Sequence, residues 1–175
     1  DAGGHRGAFL RPVEESLVGT FSLIPQVADA VAIPVIAAGG IADGRGVAAA
    51  LTLGASGVQI GTGFLATAES NASAPHRAAL ASPGARVTVL TRLFSGRHGR
   101  SIANGFTREM ASAEAEVPAY PLQNALMLPI RRAAAASGNP DRLNLWSGQA
   151  AALTRPRAAA EYLETLVREA GEALA

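Results

Sequence analysis

The apolar positions fall into two alternating patterns, and together they predict a βαβ unit. A continuous apolar run, Ile33-Pro34-Val35-Ile36-Ala37-Ala38, ends at Gly39-Gly40. Such a run is expected for a strand buried on both faces, as in parallel sheets. A helical pattern follows, with Val47, Ala48 and Leu51 on one side, Asp43 placed to cap its start and Gly54 placed to stop it. A second Gly-rich strand end then appears, Gly57-Val58-Gln59-Ile60-Gly61-Thr62-Gly63, with 57–61 as the predicted strand. Strand, helix and strand with short connections imply a right-handed crossover and a parallel sheet.

The rest of the chain is read the same way. Residues 3–17 read as a loop punctuated by Gly3, Gly4, Gly7 and Pro12. In 23–31 the positions Leu23, Ile24, Val27, Ala28 and Val31 make a helical face, with Ser22 as the expected N-cap and Pro25 in the first turn. The stretch 64–81 reads as mostly helical and broken near Ala74-Pro75. Residues 86–93 have the β-branched character of a strand or extended connector, and 95–104 read as a polar loop entering a helix. A Pro-framed break at 117–121 precedes a helix over 122–136, which Pro129 should kink or restart. After a loop at 137–149 that holds the one Trp, residues 156–174 form the clearest helix, with Ala159, Tyr162, Leu163, Leu166, Val167 and Ala170 recurring at three and four.

Composition narrows the chemistry. The 175 residues are 49% hydrophobic, enough for a substantial core, and the formal net charge is only +1. No basic block points to nucleic acid or an anionic membrane surface. Without cysteine there are no disulfides or thiolate metal ligands, and without lysine there is no Schiff base. No apolar run approaches the roughly 20 residues that span a bilayer. The start, Asp1-Ala2-Gly3-Gly4-His5, has neither an initiator Met nor a signal-peptide pattern. The expectation is a chain that begins within a domain, lacking the strand that delivers Gly3-Gly4-His5, in a cytoplasmic protein.

Three features carry candidate chemistry. The two Gly-rich strand ends, lying side by side, could present the amides of Gly39, Gly40, Gly61 and Thr62, with the Thr62 hydroxyl, to a phosphate, as βα barrels do. Equally, the glycines could serve only as turns. His5 suits a general base near neutral pH, or is a surface loop histidine. The loop Ser95-Gly96-Arg97-His98-Gly99-Arg100 could grip an anion or simply be solvated. Tyr120 and Trp146 are pocket or core aromatics. His76 and His98 have no functional reading, and three distant histidines make no metal motif.

Taken together, these stretches resemble the nitronate monooxygenases, once called 2-nitropropane dioxygenases. The resemblance runs through Ala2-Gly3-Gly4-His5-Arg6-Gly7, 34–45, Gly54-Ala55-Ser56-Gly57-Val58-Gln59-Ile60-Gly61-Thr62, Ser95-Gly96-Arg97 with Arg100 and Asn104, Tyr120-Pro121-Leu122-Gln123-Asn124 and Trp146-Ser147-Gly148-Gln149. Order and spacing agree over essentially the whole chain. The resemblance implies an α/β fold: the last strands and helices of a TIM (β/α)8 barrel plus a smaller, mainly helical domain, with the N-terminal part of the barrel missing. The implied division is 1–82 for the barrel part, 83–150 for a helical and loop region on the substrate side, and 151–175 for a helix returning to the barrel.

It further implies FMN as cofactor, a nitronate or nitroalkane and O2 as small-molecule partners, and aldehyde or ketone plus nitrite as products. His5 would be the catalytic base, or otherwise serve the nitronate at the flavin. Gly3, Gly39, Gly40, Gln59, Ile60, Gly61 and Thr62 would line FMN, and Tyr120 would border the substrate. A departure is Gly63, where the family carries Arg. Neighbouring readings are the flavin-dependent enoyl-ACP reductases, with similar Gly-Gly-His and Gly-Gly-Ile motifs, and NADH:quinone reductases of the same superfamily. A reading of another class is a non-catalytic half-barrel that assembles with a partner chain.

Overall fold

The structure, a computed structural model, describes residues 2–6, 8 and 10–175. Gly7, marked above as loop punctuation, lies outside the described residues. The predicted βαβ unit is present: β1 (Ile36–Ala38), α2 (Gly44–Thr52) and β2 (Gly57–Gln59) follow α1 (Thr20–Ala30). The two strands pair in parallel, Ile36 opposite Gly57 and Ala38 opposite Gln59. Local chemistry sets the ends of α2. Asp43 Oδ1 accepts from the Gly46 amide at 3.1 Å. At the other end Gly54 takes φ 100°, a left-handed conformation that stops the helix. The α1 and α2 faces and the strands close on Ile24, Ala37, Ile41, Ala50 and Ala55.

The cap at Asp43 gives a pH-dependent prediction. Burial pushes this carboxyl's pKa up, but hydrogen bonds from Arg45 and the Gly46 amide outweigh it, so the pKa is lowered. A depressed carboxylate stabilises the fold above its unfolded pKa and loses that stabilisation as pH falls through the folded value. Asp43→Ala should therefore cost about 0.5–2 kcal/mol at neutral pH. In urea titrations the gap to the parent should shrink as pH falls from the unfolded carboxylate value through the lowered folded one. A gap independent of pH would show that the carboxylate charge is not what the cap uses.

Several expectations for α1 and the middle of the chain are corrected. The N-cap of α1 is Gly19, not Ser22. Ser22 lies inside the first turn, where its carbonyl accepts from Gln26 Nε2, while Thr20 Oγ1 donates to the Gly39 carbonyl at 2.9 Å. That bond ties the helix start to the first glycine loop, and it places Pro25 a turn further in than expected. The stretch 64–81 is not one broken helix. A short α3 (Thr62–Leu65) is followed by turns and then by α4 (Ala74–Ala81). Pro75 opens α4 rather than breaking it, since the first helical turn needs no amide donor.

The largest difference concerns 95–104, expected as a polar loop. Gly99–Ile102 is strand β4, antiparallel to β3 (Thr88–Thr91), and all four of its residues are buried. Partners distant in sequence make it a strand. On the side away from β3, Arg100 N donates to the Gly4 carbonyl at 2.7 Å, Ser147 N to the Arg100 carbonyl at 3.0 Å, and Ile102 N to the Leu145 carbonyl at 2.9 Å. A polar strand is tolerated inside because its backbone groups are satisfied on both edges. Helix α5 (Gly105–Glu109) follows, with Asn104 and Thr107 forming a reciprocal capping box. Helix α6 (Leu122–Ala136) is one continuous helix with Pro129 inside it, so it does not restart there. The second core gathers Leu80, Ala85, Ile102, Ala134, Leu143 and Leu145.

Helix α7 (Ala159–Leu174) returns to pack on α2. Tyr162, Leu166 and Ala170 are buried, whereas Leu163 and Val167 are 56% and 67% exposed. The approach is close: a Cβ on Gly44 would lie 2.2 Å from Glu169 Cβ. The Gly44 amide donates to Glu169 Oε2 at 3.0 Å, and the Tyr162 hydroxyl to the Ala42 carbonyl at 2.8 Å. Among the described residues no helix is long and apolar enough to cross a membrane.

Candidate active site

Three glycine-bearing loops meet at a cavity of about 330 Å³. Gly39 and Gly40 leave β1 with φ 100° and 75°, conformations that side chains rarely adopt. The turn they make lies against the N-terminal loop: a Cβ on Gly39 would be 2.8 Å from the Gly3 nitrogen, and one on Gly40 2.8 Å from Ala2 Cβ. Gly61 and Thr62 leave β2 at the start of α3. Their amides donate to no described protein group, as expected for a helix N-terminus. A Cβ on Gly61 would meet nothing within 4 Å, so the space above this glycine is open.

Thr62 also joins the loops. Its Oγ1 accepts from the Gly148 amide at 2.9 Å, which leaves the hydroxyl proton free to donate. Gln149 N donates to the Ala2 carbonyl at 2.8 Å, closing the ring between the N-terminal loop and the loop after Trp146. Gly148 has no room for a side chain, since its Cβ would lie 2.9 Å from the Ala2 carbonyl oxygen.

His5 stands on the wall of this cavity and is exposed. Its backbone is held by an antiparallel bridge to Gly99, at the edge of β4. The loop that carries the imidazole is therefore anchored by main chain, and the ring stays accessible.

Of the residues singled out in the sequence, Gly3, His5, Gly39, Gly40, Gln59, Gly61 and Thr62 share the cavity wall. Ile60 does not: successive strand residues face opposite sides, and it lines an apolar groove with Val47, Phe64 and Leu163. Tyr120 is also elsewhere, 53% exposed, with the Arg97 guanidinium 5.6 Å from its ring centre. The wall also takes in Gly4, Ala38, Ile41, Leu65, Ser147, Gly148 and Ala150, which the sequence reading did not single out as site residues, and Trp146, which it left as a pocket or core aromatic. Nothing local marks them as cavity residues. The usable signal was the stretch Trp146-Ser147-Gly148-Gln149, already part of the family pattern.

Gly63 has a structural account. It is buried beneath Tyr162, and any Cβ there would fall 2.0 Å from the Tyr162 hydroxyl oxygen. The Tyr162 ring occupies the space a side chain at 63 would need, and it packs at a tilt of 56° against Phe64 with ring centres 4.8 Å apart. Burial raises the Tyr162 pKa, with Arg157 opposing and Asp43 and Glu169 adding to the rise, so the hydroxyl stays protonated and donates. Among the described residues no group of three or more His, Cys, Asp or Glu side chains is placed to hold a metal.

Comparison with known proteins points in one direction. The family model for nitronate monooxygenase matches residues 1–169. A probable nitronate monooxygenase of Staphylococcus aureus strain Newman is 47% identical over 170 residues, which are 97% of this chain and 48% of the relative. The relative from strain MRSA252 gives the same identity and coverage. Among solved structures, nitroalkane oxidase from Streptomyces ansochromogenes superposes with a TM-score of 0.91 at 44% identity, over 98% of this chain and 50% of that one. FabK from Thermotoga maritima does so with a TM-score of 0.77 at 36% identity, over 98% and 52%. The chain thus spans about half the length of the curated relatives it matches. With the family pattern matched from the glycine loop at 3–4 to the last helix, this chain belongs to the nitronate monooxygenase family.

Proposed function

We propose that this chain supplies the FMN-facing and substrate-facing part of a nitronate monooxygenase, oxidising alkyl nitronates with O2 to an aldehyde or ketone and nitrite. Residues 1–82 then form the closing βα units of a TIM barrel, 83–150 the substrate side, and 151–175 the helix that returns to the barrel. The observation that carries this is the meeting of three glycine turns around one cavity with His5 on its wall. The exposed apolar side chains of Ile36 on β1 and of Ile33 just before it suit a sheet that further barrel strands would cover.

The residues present fit FMN. Open space above Gly61, free amides at Gly61 and Thr62, and an available Thr62 hydroxyl make a cradle for a phosphate that needs no lysine. Gly39 and Gly40 bring backbone close on the other side. Gln59, at the end of β2, offers an amide that both donates and accepts. When bound, FMN supplies the redox chemistry between the nitronate and O2. The chain's own residues position and protect. His5 takes the α-proton of a neutral nitroalkane and holds it on the imidazole. Leu65 and Trp146 exclude water from the side of the cavity that faces His5.

The test is direct. The flavin-loaded protein mixed with an alkyl nitronate in air should consume O2 and release nitrite in proportion to the carbonyl product. The reductase reading predicts instead that NADH bleaches the bound flavin rapidly. Fast bleaching with no nitrite would overturn the proposal in favour of the reductase.

A further inference from the structure

The pairing of β1 with β2 ends at Ala38 opposite Gln59. Past that point the two glycine turns are no longer held together by the strand ladder. A phosphate seated between them needs the amides of both at a fixed separation, and a site that must be ordered by its ligand binds it more weakly. Tyr162 of α7 reaches both turns from behind. Its hydroxyl donates to the carbonyl of Ala42, two residues past Gly40, at 2.8 Å. The same oxygen stands 2.0 Å from where a Cβ of Gly63 would be, one residue past Thr62, so the absence of a side chain at 63 is what admits it. Tyr162 is not among the residues that line the cavity, and it acts on the cradle through these two turns.

The direction of the ring is fixed. Tyr162 is 5% exposed, Phe64 packs against it, and the Arg157 guanidinium lies 5.4 Å from its ring centre. The backbone of Arg157 is anchored in turn: it bridges Thr67, and its carbonyl accepts from the Ala68 amide at 3.0 Å. The start of α7 is tied down where the Ala159 amide donates to Glu69 Oε2 at 2.9 Å. Two turns further along the helix, Glu169 Oε2 accepts from the Gly44 amide. The helix therefore brings the Tyr162 hydroxyl to one place. The acceptor is buried as well, Ala42 being 4% exposed, so a lost bond would leave its carbonyl without a partner.

We propose that Tyr162 is a positioning residue for the flavin phosphate, clamping the turn at 39–42 to the turn at 61–63 so that their amides converge before the cofactor arrives. Without the hydroxyl, the Ala42 carbonyl is released and the turns can spread. Binding must then order them. The penalty falls on the phosphate and spares the flavin ring system. The proposal deepens the reading of the cavity as an FMN site and rests on it.

The experiment titrates the flavin-stripped protein with FMN and with riboflavin, which has the same ring system and no phosphate, following flavin fluorescence. The parent should bind FMN about 10²-fold more tightly than riboflavin. Tyr162→Phe keeps the ring and removes the hydroxyl; it should weaken FMN about tenfold and leave riboflavin unchanged. Thermal melts are read in parallel. A lower melting temperature with the parent's FMN-to-riboflavin ratio would mean that the hydroxyl serves packing alone, and would overturn the clamp while leaving the FMN site standing. A parent that binds FMN no better than riboflavin would remove the phosphate cradle itself, and the clamp with it. Should Tyr162→Phe fail to fold, the double variant Tyr162→Leu with Gly63→Ala decides. Its methyl group at 63 takes space that the ring vacates, which restores packing without the hydroxyl. A reduced preference for FMN in that protein supports the clamp, and the parent's preference refutes it. These titrations use neither nitronate nor O2, so their outcome is independent of nitrite formation.

Discussion

Replacing His5 by Asn is expected to cut turnover of a neutral nitroalkane by about 10²–10⁴-fold, the usual worth of a general base. The same change should cost much less with a preformed nitronate. A nitroalkane carries a carbon-bound proton that must be removed before oxidation, and a nitronate has already lost it. Only binding and electrostatics then remain for the imidazole to supply. The structure makes the comparison clean. The His5 backbone is pinned to Gly99 by main-chain pairing, and the Gly4 carbonyl is held by the Arg100 amide. Loss of the imidazole therefore leaves the loop in place. Flavin content should be unchanged, since the phosphate cradle is made of backbone and Thr62. The measurement is steady-state turnover of both substrate forms, with the flavin-to-protein ratio read in parallel. Equal losses on both substrates with flavin retained would mean that His5 positions the substrate. Loss of flavin would mean that its role is structural.

The second large effect is at Gly61. Gly61→Val should lower FMN affinity by about 10²-fold, through loss of charge-assisted amide contacts to the phosphate and blocked approach. Folding should hardly change. Gly61 has φ −98° and ψ −65°, which side-chain-bearing residues adopt readily, and its Cβ would meet no protein atom within 4 Å. The new side chain would occupy only the cavity. Gly39→Val is the contrasting variant. There φ is 100° and the Cβ would be 2.8 Å from the Gly3 nitrogen, so fold and flavin should suffer together. Thermal melts and flavin absorbance of the purified variants separate the two outcomes. Stoichiometric flavin in a Gly61→Val protein would remove the phosphate role from this turn.

What the chain declared by itself was local. The parallel βαβ unit was legible from the apolar run at 33–38, the Asp43 cap, the Gly54 stop and the second strand at 57–61, because each signal acts within a turn or two of its own position. The long last helix was legible for the same reason, through its three-and-four spacing. The family was legible because its motifs recur in order across the chain. Tertiary structure decided the rest. Gly99-Arg100-Ser101-Ile102 reads as part of a polar loop until β3, Gly4 and the loop at 145–147 satisfy its backbone from both edges. Trp146, Ser147 and Gly148 join the cavity wall because Thr62, Ala2, Arg100 and His76, all far off in sequence, hydrogen-bond that loop into place. Gly63 lacks room only in view of the Tyr162 ring that packs against it. Such features depend on which distant groups share a desolvated space, and no periodicity or spacing within one segment encodes that.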